Sequence, residues 1–408
     1  MQEVIRQLAE RLASWGHEVT VATTELPGRT FTILNGVKVR GFKVAGNHAT
    51  GMSGEIDVYQ RFVQDDAFDL VMVYAAQQWT FDAMWPVLGA MRARKVFVPC
   101  GFAGLYEPGY RRYFEEMPKV LRQFDRLVFN ATHYRDIDLA RSHGLDNFVV
   151  LPNGANEREF AVPVDDGFRA RHQIAPDAFL VLTVGSFTGL KGHLELASAF
   201  EKLALPEGRR AALILNGNEV QRLESGAVAL ARKFVGVIRT QGLRRALKQV
   251  ASKLSGSSST PRSTAENINR SQPSKQVLVT DLPRAELTQA FMAADLFVLA
   301  SNIEYSPLVL FEAAAAGTPF LTVDVGNALE IAAWTGGGVA CPSSVDERGY
   351  TRVDEAVLAA SMASLAAQPA LLEAMGKTGQ ENWRKHFSWQ VIARQYERLF
   401  LDLVERPA

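Results

Sequence analysis

The sequence predicts an α/β protein made of two parallel-sheet domains. Three features predict it. The 408 residues exceed what one hydrophobic core usually holds. Short β-branched runs alternate with helical patterns in both halves. A stretch rich in Pro, Asp and Gly, residues 152–167, separates the halves.

The chain opens as an amphipathic helix, with Ile5, Leu8, Leu12 and Trp15 at helical spacing and Gly16 as its stop. Strands are expected at residues 18–24, 70–74, 95–99, 126–130 and 148–151, with a hairpin at 31–34 and 37–44 around Asn35-Gly36 as an ornament. The second half repeats the scheme with strands at 179–184, 211–216, 276–279, 295–299 and 319–323, and a last helix over 389–404. The expected organisation is an N-terminal domain (1–152), a linker (153–167), a C-terminal domain (168–388) and a closing segment (389–408) that packs back on the first domain.

Composition narrows the function. Forty-four basic residues balance forty-four acidic ones, so the chain as a whole carries no excess charge to attract nucleic acid. Cys100 and Cys341 are the two cysteines, which excludes a disulfide framework or an all-cysteine zinc site and suits the cytoplasm. No apolar run is long enough for an ordinary membrane-spanning helix. One segment departs from the neutral balance. Residues 221–275 read as an insertion with eleven Lys and Arg against two Glu, and the Ser-rich part, 252–274, is expected to be disordered. Residues 231–253 within it form a basic amphipathic helix candidate, either a solvated helix or a contact to an anionic membrane at the inner face.

The most informative segment is 301–330, S-N-I-E-Y-S-P-L-V-L-F-E-A-A-A-A-G-T-P-F-L-T-V-D-V-G-N-A-L-E. A strand ends near Ala300, Ser306 is expected as N-cap with Pro307 at the first helical position, and Gly317 ends the helix. Backbone N–H groups over Ser306, Pro307, Leu308 and Val309 would then face a ligand at the carboxyl end of a parallel strand, a ready anion site. Glu304 and Glu312 flank that site, eight positions apart. Carboxylates repel phosphate but accept hydrogen bonds from hydroxyl groups, so the pattern asks for polyol, phosphate and polyol in sequence, as in a nucleotide sugar. A second element, V-L-T-V-G-S-F-T-G-L-K-G at 181–192, is a strand and a glycine-containing loop, with Lys191 at the start of the next helix. A cation there opposes the helix dipole unless an anion lies between them.

With these marks the chain resembles a family 4 glycosyltransferase of the GT-B fold, over nearly its whole length. The resemblance is carried by Gly16-His17-Glu18-Val19-Thr20-Val21, Pro152-Asn153-Gly154, Lys191-Gly192, the Glu304 and Glu312 pair, Gly317-Thr318-Pro319, residues 326–330 and Phe387-Ser388-Trp389. It implies two Rossmann-like domains facing a cleft and transfer of a hexosyl group, with retention, from a nucleotide-sugar donor to a saccharide or glycoconjugate acceptor. No metal or cofactor beyond the donor co-substrate is implied. Lys191 and Glu304 would carry the chemistry: Lys191 beside Gly185 holds the diphosphate, Glu304 the donor sugar hydroxyls. Glu312 would hold the ribose, and the amides of 306–309 the distal phosphate.

Several positions depart from the family. Ser186 stands where an Arg usually follows the glycine, with Arg284 as a replacement diphosphate cation. Cys100-Gly101 stands where a His is common on the acceptor side. Gln77 and Trp79, after the strand at 70–74, are further acceptor-side candidates, Trp79 either lining the site or packing. Relatives begin with a strand and a glycine-rich loop ahead of the opening helix, so the resemblance implies a sheet lacking its first strand and a misassigned or truncated start at Met1. These departures keep open a non-catalytic GT-B protein that binds a nucleotide sugar or a partner, and a related GT-B epimerase. Asp136 and Asp138 are expected to form salt bridges on a helix surface with Arg135 and Arg141, not to bind metal.

Overall fold

The computed structural model describes residues 2–206, 208–218 and 260–405. In the N-terminal half, strand β1 (Thr20–Thr24) is followed by the hairpin strands β2 (Ile33–Leu34) and β3 (Val37–Phe42). Asn35 and Gly36 turn the hairpin at φ 49° and 83°, the left-handed region that a tight hairpin turn requires. Far from being an ornament, β3 pairs in parallel with β1, giving the order β1-β3-β2. A second hairpin, β4 (Val44–Asn47) with β5 (Gly51–Gly54), follows.

Four parallel strands, β6 (Leu70–Tyr74), β7 (Arg94–Val98), β8 (Arg126–Phe129) and β9 (Phe148–Val150), make a separate sheet in that order. Among the described residues no ladder joins β1 to β6. Leu70, Val71 and Met72 of β6 are accordingly half-buried, whereas Val96, Phe97 and Val98 of β7 are fully buried. The opening helix, Gln2–Ser14, sets Val4 and Leu8 in one apolar cluster with Trp389, Ile392 and Tyr396 of the last helix, Trp389–Glu405, and with Val96, Val98 and Val128 of the sheet. The chain's last helix therefore packs on its first domain.

The C-terminal half forms one parallel sheet from β10 (Phe179–Val184), β11 (Ala211–Asn216), β12 (Lys275–Thr280), β13 (Leu296–Leu299), β14 (Phe320–Thr322) and β15 (Gly338–Ala340). Its order is β12-β11-β10-β13-β14-β15, a doubly wound sheet that reverses direction between β10 and β13. Continuous apolar runs such as Phe-Leu-Val-Leu-Thr-Val in β10 suit strands covered on both faces, and the first five residues of that run are buried. The reversal opens a crevice at the carboxyl ends of β10 and β13, where their loops diverge to opposite faces.

Two expectations are corrected here. Part of the Ser-rich stretch is ordered: Pro261–Ser271 is a helix, N-capped by Thr260, which exchanges bonds with Ser263, and it buries Ala265 and Ile268 in the core. β15 was not foreseen, because a three-residue run containing glycine has little strand signal of its own. The basic segment 231–253, with its expected membrane contact, lies outside the described residues. Among the described residues no single helix is long and apolar enough to cross a membrane.

Candidate functional site

The loops after β10 and β13 meet at the crevice. Gly192, at φ 71°, lies so close to the end of β13 that an added Cβ would sit 1.9 Å from the Ala300 carbonyl oxygen, so only glycine permits the approach. The Asn302 N–H donates to the Leu190 carbonyl at 2.9 Å, stitching the two loops together. Lys191 then runs over Gly185 and its Nζ donates to Glu304 Oε1 at 2.6 Å. The Lys191 side chain is 30% exposed and that of Glu304 is 14% exposed, so this pair sits at the mouth of the crevice and not in the core.

The helix Leu308–Ala316 follows Glu304. Its N-cap is Pro307 and not Ser306, and no side chain caps it. The proline ring fixes φ at −70° while its ψ of 114° keeps it out of the helix, which shifts the start by one residue. Pro307 has no N–H, so the amide donors available over 306–309 are those of Ser306, Leu308 and Val309. The Ser306 hydroxyl is buried without a protein partner among the described residues, while its carbonyl accepts from Asn153 Nδ2 of the linker at 3.2 Å. Gly317, at φ 74°, ends the helix.

Glu312 lies buried in the second turn and accepts from Arg284 at 2.5 Å; the same guanidinium also bonds Glu159 at 2.5 Å. Burial raises the Glu312 carboxyl, and the Arg284 guanidinium opposes that rise. Arg284 is thus committed to two carboxylates, one from the linker, and is not a free diphosphate cation of the kind expected for it. Glu159 in turn lies 3.8 Å from Arg6, which pairs with Glu3, so the ion pairs run from Glu312 to the opening helix.

Across the cleft, a cavity of about 440 Å³ lies at the carboxyl ends of β6 and β7, lined among others by Asn47, Gln77, Gln78, Cys100 and Tyr110. Four of its lining residues, Ala75, Gln77, Cys100 and Phe102, have φ between 50° and 70° without being glycine. Such strained backbone persists only where the surroundings hold it, and it clusters at functional sites. Nothing in the sequence signals it. Burial pushes the Cys100 thiol up to about 12, so it is neutral and no nucleophile. Of the two readings of Trp79 the structure shows the packing one, against its acceptor-side candidacy: it is buried, packs on Phe42 and Tyr59, and donates Nε1–H to Thr24 Oγ1 at 2.9 Å. Gly101 is corrected: it does not line this cavity but lies at the domain boundary, where an added Cβ would lie 2.8 Å from the Tyr305 ring of the other domain and 2.9 Å from the Tyr134 ring of its own.

The two walls are joined directly. Tyr134 donates its hydroxyl to the Glu304 carbonyl at 2.7 Å, and the Tyr305 hydroxyl accepts from the Asn130 N–H at 2.9 Å. Glu330 accepts from the Thr132 N–H, the Thr132 hydroxyl and the His133 N–H at 2.9, 2.5 and 3.0 Å. Asp138 pairs with Arg141 at 3.7 Å, but Asp136 is fully buried and forms no salt bridge; it accepts from the Gly101 N–H at 2.8 Å. A sequence cannot reveal that contact, since nothing local distinguishes Asp136 from Asp138. Among the described residues no group of three or more His, Cys, Asp or Glu is arranged to hold a metal ion.

Two parallel-sheet α/β domains facing a cleft, with the crevice of a doubly wound sheet opening into it, define the GT-B class. The sucrose-phosphate synthase of Thermosynechococcus elongatus superposes with a TM-score of 0.70 at 18% identity, covering 99% of this chain and 93% of that one. The Anabaena protein Alr3699/HepE, solved in complex with UDP, superposes with a TM-score of 0.68 at 14% identity, covering 98% and 96%. A glycosyl transferase 4-like domain matches residues 1–154, and a glycosyl transferases group 1 domain matches residues 255–381. The chain belongs to the family 4 glycosyltransferases of the GT-B fold. In sequence, glycogen synthase of Mycobacterium tuberculosis is 32% identical over 123 residues, 30% of this chain and 28% of that protein. D-inositol 3-phosphate glycosyltransferase of Segniliparus rotundus is 36% identical over 111 residues, 27% of this chain and 22% of that protein. The chain thus matches less than a third of the length of these curated relatives.

Proposed function

We propose that the chain transfers a hexosyl group, with retention and without a metal, from a nucleotide-sugar donor to a saccharide or glycoconjugate acceptor. The observation that carries this reading is the Lys191–Glu304 contact of 2.6 Å at the crevice mouth. It puts an ammonium group and a hydroxyl-binding carboxylate side by side, next to the amide-bearing start of the helix Leu308–Ala316. As the bond from the anomeric carbon to the diphosphate oxygen breaks, the electron pair goes to that oxygen, where Lys191 and the amides of Ser306, Leu308 and Val309 stabilise the growing charge. The acceptor hydroxyl oxygen bonds to the anomeric carbon and its proton leaves to the departing phosphate.

A UDP donor is the first to try, because Alr3699/HepE is also solved in complex with UDP-glucose. Glu312 would accept from the ribose hydroxyls once Arg284 swings to Glu159 alone, and the cavity at Gln77 and Cys100 would take the acceptor. The test is turnover of a panel of UDP-, GDP- and ADP-sugars with Glu304→Gln as control, the anomeric configuration of the product being read by NMR. Inversion would refute retention, and unchanged turnover by Glu304→Gln would refute the site.

One observation favours a second reading. The Glu312 carboxylate is already engaged by Arg284, and Ser186 supplies no cation, so a non-catalytic nucleotide-sugar binder is consistent with the same crevice. Nucleotide-sugar binding without turnover or hydrolysis across the panel would select it.

A further inference from the structure

Asp136 belongs to the N-terminal domain, and its fully buried carboxylate sits where two loops that line opposite walls of the cleft touch, at Gly101 and Tyr305. Oδ2 accepts from the Gly101 N–H at 2.8 Å, on the loop after β7 that also carries Cys100. Oδ1 accepts from the Ile137 N–H at 2.9 Å, which anchors the carboxylate to its own helix, Arg135–Ser142. The Tyr305 hydroxyl, on the loop after β13, faces the same carboxylate and accepts from the Asn130 N–H at 2.9 Å. Tyr305 follows Glu304 directly, and the carbonyl of Glu304 is held by Tyr134 at 2.7 Å. Gly101 packs so tightly against the Tyr305 and Tyr134 rings that no Cβ fits. The loop bearing Glu304 and the loop bearing Cys100 therefore meet beside one carboxylate, which bonds the second of them.

We propose that Asp136 is a positioning residue for the transfer reaction: through Gly101 on one side and Tyr305 on the other, it sets the acceptor-side loop in register with the donor-sugar carboxylate Glu304. This rests on the reading of the crevice as a transferase site. Two N–H donors, one on each oxygen, bond the carboxylate, and its ionised form accepts from both without presenting a proton to either. Burial pushes its pKa up to about 6, against the bonds from Tyr305, Gly101 and Ile137. The titratable groups facing it are Tyr305, Cys100 and Tyr134, whose hydroxyls and thiol burial raises and keeps neutral. Arg135 on its own helix is turned out onto the Tyr106 and Tyr134 rings. Protonation converts one acceptor oxygen into a donor facing N–H or O–H, and the register loosens as pH falls through about 6. Stability moves the other way. A carboxyl whose folded pKa lies above its unfolded value contributes stability at low pH and loses that contribution as pH rises through about 6.

The experiment compares the full chain with Asp136→Asn from about pH 5 to about pH 8, measuring transfer, donor hydrolysis and exchange of the Gly101 amide hydrogen. Asp136→Asn is expected to keep the donor KM within about twofold while transfer kcat falls about 10- to 100-fold. The fall in wild-type kcat near pH 6 is expected to vanish in the variant, and Gly101 exchange, corrected for its intrinsic rate, to accelerate. Wild-type kcat, pH profile and Gly101 protection in the variant would overturn the proposal. Tyr305→Phe removes a single hydroxyl and serves where Asp136→Asn fails to fold; it must show the same KM-against-kcat split. Should the wild type turn over no donor, the transferase reading fails by itself. Gly101 protection then decides the link, which is refuted if neither substitution changes it.

Discussion

The two sheets of this protein are built to different standards. The C-terminal sheet is one unbroken run of six parallel strands, whereas the N-terminal strands divide into separate sheets with no ladder between β1 and β6. The site each carries differs in kind. In the C-terminal domain, the proposed site lies where a doubly wound sheet must leave a crevice, and Gly192, Lys191, Glu304 and Glu312 stand around it. In the N-terminal domain, the cavity is shaped by four non-glycine residues held at positive φ, and Gly101, between two of them, packs against Tyr305 of the other domain. A regular sheet places its ligand site by topology; an interrupted one relies on what packs against it.

The sharpest way to break that contrast is Lys191→Ala, expected to lower kcat by at least about 100-fold with no change in far-ultraviolet circular dichroism. A loss below about tenfold would mean that the crevice does not carry the chemistry. Two glycine substitutions come next, one from each domain. Gly192→Ala drives a Cβ into the Ala300 carbonyl and is expected to cost the C-terminal domain about 2–4 kcal/mol in urea unfolding. Gly101→Ala, at φ 89°, drives a Cβ against the Tyr305 ring of the other domain and the Tyr134 ring of its own, so it is expected to cost about 1–3 kcal/mol and, unlike a purely structural change, to lower transfer about tenfold. Unchanged transfer in folded Gly101→Ala would erase the dependence of the first domain's cavity on the contact to Tyr305. Trp79→Phe removes the bond to Thr24 and is expected to cost about 1 kcal/mol while leaving the acceptor KM unchanged. A raised acceptor KM would return Trp79 to the acceptor site. Smallest of all, EDTA is expected to leave the initial rate of sugar transfer where it was; a loss restored by a divalent cation would overturn metal independence.

The C-terminal strands were legible because each is a continuous apolar run bounded by turn residues, a pattern local to the sequence. Gly317 was legible as a helix stop for the same local reason. The start of that helix was misread by one residue, since Ser306 and Pro307 both carry start signals and the proline backbone decided between them. The helix Pro261–Ser271 was hidden by serine-rich composition, although Thr260, Pro261 and Ser263 together spell a capped start. Asp136 and Asp138 look alike in the sequence; one is buried under Tyr305 and the other pairs with Arg141 at the surface.

What the sequence by itself determined is the alternation of strand and helix, the two-domain division of the chain, and the residues of the crevice, because these follow from hydrophobic period and turn chemistry within a few residues. Only the tertiary structure decided that Arg284 closes on Glu312, that Trp79 belongs to the core, that Asp136 is buried against Gly101 and that Glu330 ties the two walls together. Each of those is a contact between groups far apart in the chain. Its energy depends on burial and distance, which no local pattern records.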